Sequence, residues 1–418
     1  PSLLASPLIC RDLGMKQKFT NNLPQYGFSA AFRRFQPYIM IVLLLAEHGQ
    51  ISRQNFPPKQ GMLNYFPNLK IFGIMLLHYI AIVLFSQVFP SKSPPSMEAL
   101  DVTRIYARPA GKFLEPFLRP RIPGSEGSRW VREFLLSHFE EIGWSVEKDE
   151  SAQRIPSGER VTFTNLIFTH NPEAPKRLVL AAHYDSKVTV DGQQHDGQFI
   201  GATDSAWPCA LLVELSTALN DRLKDSPKYS QVSLQIIFFD GEEAYHKWSA
   251  TDSLYGSRHL AQEWSKRPEE TINKIELFVL LDLLGAAQPQ IYPWISETTS
   301  EYRKLVLAEQ QFIRTLPSLN QQSQPIFNEI KPARLQHFFV DDDRVPFMKL
   351  GVRVLHLIPG PFPSVWHTIK DDESALDNPT ILRLAHIIHN YLLDYFGLGT
   401  GLKVRDDLRN GARRNVEL

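Results

Sequence analysis

The chain has 418 residues, 45 basic and 45 acidic side chains, and two cysteines. A formal net charge of +0 argues against a dedicated nucleic-acid binder, which carries a basic excess. Two cysteines exclude a disulfide scaffold and any four-thiolate zinc site, and a hydrophobic content of 43% excludes disorder over most of the length.

The charge is unevenly spread. Residues 1–100 hold nine Lys/Arg and three Asp/Glu, so the acidic excess belongs to the remainder. Residues 1–61 show no recognisable element and are expected to be a disordered leader. Within 62–96 lies Ile71–Phe89, an apolar run without Asp, Glu, Lys or Arg. A bilayer core needs about 20 apolar residues as a helix, whereas a signal-peptide core takes about 7–15. The run therefore reads as a membrane-spanning signal-anchor ahead of a cleaved signal peptide, and a Pro/Ser linker, Pro90–Ser96, follows it. Either form directs the rest into the secretory pathway, to be held in the Golgi membrane or secreted.

Residues 97–398 read as one α/β domain. Thr164–His170, Leu178–His183, Val232–Asp240, Ile275–Asp282 and Arg353–Ile358 are short apolar runs without clean polar alternation. That pattern predicts interior strands covered on both faces. Helical spacing appears between them, at Ser128–Ile142, Ser205–Lys224 and Ser300–Thr315. The last helix has Asp377 or Asn378 as cap, Pro379 in its first turn, a stripe of Ile381, Leu384, Ile388 and Leu392, and Gly397 as its end. The alternation predicts a three-layer α/β/α domain, with a mostly parallel, mixed sheet and helices on both faces. Residues 399–418 form a polar tail.

The carboxylates and histidines fall at strand ends. Leu178–Ala182 leads into His183, Tyr184 and Asp185; Val232–Phe239 leads into Asp240, Glu242 and Glu243; Ile275–Leu281 leads into Asp282. In open α/β sheets ligands bind beyond the carboxyl ends of the strands, so these segments can converge on one crevice. Asp204 precedes a helix, where an acid is commonly a cap. His367 follows a rigid loop, Pro361–Trp366, where a histidine is commonly a packed residue. Glu242 and Glu243 directly follow four apolar residues, where burying two like charges is unfavourable without compensation. A cation is a simple compensation. Zinc accepts imidazole nitrogen and carboxylate oxygen, and a catalytic site keeps a position open. Asp204, Glu243 and His367 make one such set, although composition alone does not select it.

Residues from about Phe117 to Phe396 resemble the glutaminyl-peptide cyclotransferases, animal-type zinc enzymes related to zinc aminopeptidases. The matching stretches are Leu178–Lys187, Gly201–Ala206, Phe238–Ala244, Asp252–Leu260, His356–Pro359 and Trp366–Thr368. The resemblance implies one zinc per chain on Asp204, Glu243 and His367, and Glu242 as general acid/base. It also implies that Asp282 and Asp342 complete an acidic network, and that Trp248, Trp366 and Phe362 shape the pocket. His183 and Asp185 would support the site. The implied reaction converts N-terminal glutamine of peptides and proteins, less efficiently glutamate, to pyroglutamate with loss of ammonia. A monomer is the default.

One departure stands out. Secreted animal members pair a cysteine just before the His-Tyr-Asp-Ser stretch with one in the helix after Asp204. Here the first position is Ala182, so Cys209 is expected to be a buried free thiol. Two rival readings remain at this point. A two-zinc aminopeptidase could draw both metals from His183, Asp204, Glu243, Asp282 and His367. A peptide-binding relative without catalysis is the other, although every implied ligand and Glu242 are present.

Overall fold

The computed structural model describes residues 100–190, 193–194, 198–315, 324–335 and 340–399. All belong to the second of two compact units, Lys92–Leu418. The leader, the Ile71–Phe89 run, its Pro/Ser linker and the tail beyond 399 lie outside the described residues. Among those described, no helix is long and apolar enough to cross a membrane.

The described residues form eight strands: β1 (Ser145–Arg154), β2 (Arg160–Thr169), β3 (Lys176–His183), β4 (Thr189–Val190), β5 (Gln193–Gln194), β6 (Val232–Phe239), β7 (Ile275–Leu281) and β8 (Val354–Leu357). The α-helices are α1 (Glu126–Glu141), α2 (Trp207–Lys224), α3 (Tyr255–Ser265), α4 (Thr299–Thr315), α5 (Arg344–Met348) and α6 (Asn378–Tyr395). Six strands form one sheet in the order β1-β2-β6-β3-β7-β8, while β4 and β5 make a separate hairpin. The β6–β3, β3–β7 and β7–β8 pairs are parallel, and β1–β2 and β2–β6 are antiparallel. The sheet is therefore mixed, with its parallel part on the side that carries the strand-end acids.

Strand periodicity explains the three layers. Successive side chains point to opposite faces, so an all-apolar strand feeds two cores. Leu178, Leu180 and Ala182 of β3 join one cluster with Leu234, Ile236, Leu277, Val279 and the apolar faces of α1, α2, α4 and α6. Val179 and Ala181 join the other, with Ile237, Phe278, Leu260, Trp264 and Phe347 from β6, β7, α3 and α5. Helices thus cover both faces.

β1 and α3 are among the elements that escape the apolar-run reading. β1 is polar, and no residue in it is fully buried. It pairs only with β2, and a charged edge strand of this kind resists further pairing. α3 buries a face of Leu260, Ala261 and Trp264, but it is too short to show a long amphipathic period. α6 starts as expected: Asp377 accepts a hydrogen bond from the Thr380 amide at 2.9 Å, and Pro379 sits in the first turn. α4 and α6 are joined by a buried ion pair, Arg383 Nη2 to Glu309 Oε1 at 2.6 Å.

Candidate metal centre and active site

The site is assembled from the loops that follow β3, β6, β7 and β8, together with the turn that enters α2. The β3 exit places His183 and Asp185, which are 2% and 0% exposed. Asp185 spans to the β6 exit: its Oδ1 accepts from the Glu242 amide at 3.1 Å and its Oδ2 from the Glu243 amide at 3.2 Å. One carboxylate therefore fixes two successive peptides, and with them the side chains they carry. Gly241 makes that bend possible. Its φ is 68°, and a Cβ there would lie 2.3 Å from the Phe163 ring, so only glycine fits.

Asp204 lies in a wide turn, Ala202–Ala206, and the Asp204–Ser205 peptide bond is cis. The helix begins at Trp207 and its N-cap, Ala206, has no side-chain hydrogen bond. The capping alternative for Asp204 thus does not describe it. Its Oδ1 lies 3.0 Å from His183 Nε2. Its Oδ2 is buried and has no hydrogen-bond partner; His367 Nε2 lies 3.5 Å from it. The turn is held from outside by Asp371, whose Oδ1 accepts from the Thr203 amide at 2.9 Å and whose Oδ2 accepts from Thr203 Oγ1 at 3.0 Å.

His367 has φ 55°, a left-handed conformation uncommon for a residue with a Cβ. Its Nε2 is 3.1 Å from Glu243 Oε1. The Trp366 indole stacks on its ring at 4.1 Å between centroids, and Phe362 meets Trp366 edge-on at 4.9 Å. Glu243 Oε2 accepts from Lys187 Nζ at 2.8 Å. Ligand atoms of Asp204, Glu243 and His367 all lie within 4.8 Å of one another, and so do those of His183, Asp204 and Asp282. The two groups share Asp204.

Asp282 Oδ1 accepts from Ser205 Oγ at 2.5 Å and from the Leu283 amide at 2.8 Å. Asp342 Oδ1 accepts from the Asp343 amide at 2.7 Å, and its Oδ2 is 2.7 Å from His356 Nε2. Trp248 donates its indole N–H to Asp341 Oδ2 at 3.2 Å.

Electrostatics follow from crowding buried acids in one crevice. Burial pushes the Glu242 carboxyl well above its ordinary value; Glu243, Asp342 and Asp343 add to this and His183 opposes it. Burial also raises Asp204. It disfavours the charge on Glu243 too, but Lys187 and His367 outweigh it and hold that carboxyl low. Burial disfavours protonated His183, yet hydrogen bonds to Asp185, Asp204 and Asp282 raise it well above the usual imidazole. A hard or borderline divalent cation suits these oxygen and nitrogen donors. The unpartnered Asp204 Oδ2 beside His367 and Glu243 fits such an ion, because a buried carboxylate oxygen otherwise takes a donor.

Several residues here had no role assigned from the sequence. Arg121 is fully buried and donates to the carbonyls of Tyr184 at 2.7 Å and Ile200 at 2.6 Å, tying the β3 exit to the Asp204 turn. Nothing local in the sequence marks it. Lys187, Ser205 and His356 lie inside the motif stretches, and that was the available signal. Asp371 lies just beyond the Trp366–Thr368 stretch, whereas Arg344 lies outside all of them.

The profile of peptidase family M28 matches residues 165–392. A glutaminyl-peptide cyclotransferase of Boiga irregularis is 43% identical over 301 residues, covering 68% of this chain and 80% of the snake protein. One from Drosophila melanogaster is 39% identical over 295 residues, covering 69% and 81%. Among solved structures, the glutaminyl cyclase of Macrostomum lignano superposes with a TM-score of 0.60 at 32% identity, covering 71% of this chain and 90% of that one.

Proposed function

The chain belongs to the glutaminyl-peptide cyclotransferase family, and from that premise we propose that it cyclises N-terminal glutamine of peptides and proteins to pyroglutamate with release of ammonia, and N-terminal glutamate less efficiently. The observation that carries this reading is the meeting of Asp204, Glu243 and His367 around an unpartnered Asp204 oxygen, with Glu242 buried beside them. Those three residues would hold one zinc ion. When bound, the ion supplies Lewis-acid polarisation of the substrate's γ-carbonyl.

The chain's own groups do the rest. Glu242 takes a proton from the α-amine as that nitrogen attacks the γ-carbon of the same residue. Attack within one residue avoids the entropy of collecting a second reactant. Glu242 then returns the proton to the γ-nitrogen, the C–N bond breaks, and ammonia leaves. Asp282, anchored by Ser205, steadies the departing nitrogen together with Asp342. Trp248, Trp366 and Phe362 wall the pocket and exclude water, which favours ring closure over plain hydrolysis. His183 orients Asp204, and Asp185 sets the spacing of Glu242 from Glu243.

The shared Asp204 favours one second reading, a two-metal aminopeptidase with the other ion on His183, Asp204 and Asp282. Glutaminyl-naphthylamide and leucyl-naphthylamide separate the two. Ammonia from the first with no amine from the second, and one zinc per chain, is the expected result. Free naphthylamine from the leucyl substrate with two zincs would overturn it. The same proposal keeps Ile71–Phe89 as a membrane anchor or signal of the secretory pathway. Sequencing the mature N-terminus tests that part: a start near Pro90 means cleavage.

A further inference from the structure

We propose that Arg344 is a positioning residue that fixes the tautomer of His356 and so keeps Asp342 a hydrogen-bond acceptor in the active site. The kinetic part of this inference rests on the cyclase reading; the structural part does not.

Arg344, His356 and Asp342 are 3%, 2% and 2% exposed, and they hydrogen-bond to protein groups. Arg344 Nε lies 2.9 Å from His356 Nδ1. A guanidinium only donates, so Nδ1 must be the acceptor and the ring proton must sit on Nε2. That nitrogen is 2.7 Å from Asp342 Oδ2, while Asp342 Oδ1 already accepts from the Asp343 amide at 2.7 Å. Both oxygens of Asp342 are therefore acceptors. The opposite tautomer would set an imidazole lone pair against a carboxylate lone pair, unless Asp342 took a proton and became a donor.

Arg344 is itself held. Its Nη2 donates to the Val340 carbonyl at 2.5 Å and its Nη1 lies 2.9 Å from Met348 Sδ, one turn along α5. Packing alone does not impose the ring state. A cavity of about 260 Å³, lined by Trp294, Ser296, Glu297 and Met348, borders both Arg344 and His356. The electrostatics agree: burial holds His356 below the ordinary imidazole value, Arg344 adds to that, and Asp342 and Asp282 oppose it.

The test uses the full chain with ring-15N histidine, His356 being assigned by loss of its signals in His356→Asn. The wild type is expected to show an unprotonated Nδ1 and a protonated Nε2. Arg344→Met is expected to mix the tautomers or protonate both nitrogens. With an N-terminal glutaminyl peptide it should lose about tenfold or more in kcat while KM stays within about twofold, as misplacement of a catalytic group does. Arg344→Gln, which keeps an N–H donor without the charge, should recover the wild-type spectrum and most of kcat. An unchanged His356 spectrum in Arg344→Met, or a wild-type kcat, overturns the proposal. So does a folded Arg344→Gln with a disturbed His356 state, which also serves if Arg344→Met does not fold. A wild type that fails to cyclise the peptide sinks the cyclase reading instead, and the spectrum still decides on Arg344.

Discussion

Glu309 and Asp204 are buried to nearly the same degree, 2% and 3% exposed, yet their oxygens are used differently. Glu309 Oε1 accepts from the Ile326 amide at 2.8 Å and from Arg383 at 2.6 Å, and its Oε2 accepts from the Phe327 amide at 3.0 Å. Protein donors fill it. Asp204 has one oxygen against His183 and the other with no hydrogen bond. The first acid pins the 324–328 segment against α4 and α6. The second retains capacity for something that is not protein. For this pair, the saturated acid is structural and the one with an open oxygen lies at the candidate metal centre.

Four measurements can break that contrast, beginning with the largest effect. Treating the protein with 1,10-phenanthroline and then dialysing it should reduce turnover to background, and zinc should restore it. Activity that survives with no bound metal would mean that the deficit at Asp204 is not a cation site. Glu242→Gln should lower kcat roughly 10³-fold, within the range for a general acid/base, with zinc content unchanged by atomic absorption. Near-normal turnover would remove Glu242 from the mechanism.

On the structural side, Glu309→Ala leaves Arg383 buried without its partner and should destabilise by about 3–5 kcal/mol. Urea unfolding measures this, and kcat per folded molecule should stay unchanged. A kcat loss in the folded variant would show that the two kinds of acid are not separable. The smallest effect concerns bases far from the strand ends. Burial pushes His386 down to about 4 and His389 to about 3, with His386 adding to the latter. Their folded values lie below the unfolded one, so the unfolded chain takes protons first as pH falls. Stability present above pH 6.5 is lost below it, by roughly 2 kcal/mol per histidine between pH 6.5 and 5. A His386→Asn/His389→Asn double variant should flatten that slope in urea titrations at pH 7 and 5. An equal slope in variant and wild type would refute the assignment.

Much of this domain was legible in the sequence because its strands are buried on both faces. An all-apolar run such as Leu178–Ala182 needs no alternation to be read, and its polar end marks the rim of the sheet. β1 was not legible, because an edge strand has no core to advertise. The position of Asp204 was legible and its conformation was not. A helix-cap context and a wide cis-containing turn look alike in single-letter code, and only the fold shows that the carboxylate turns to His183. Arg121 lay beyond reach for a different reason. It bonds backbone carbonyls more than sixty residues away, and carbonyls leave no trace in residue identity. His356 was visible as part of a motif, but its partner Arg344 became meaningful only when the ring nitrogens could be told apart.

Cys209 is buried and free, and its thiol donates to the His183 carbonyl at 3.1 Å. Burial pushes that thiol up to about 12, so thiolate, the species that attacks disulfides and peroxides, is scarce at neutral pH. With Ala182 where a partner sulfur could stand, the catalytic layer is held by packing and hydrogen bonds and not by a covalent bridge. Cys209 closes no disulfide, so a reductant has no bond to open at this point of the fold.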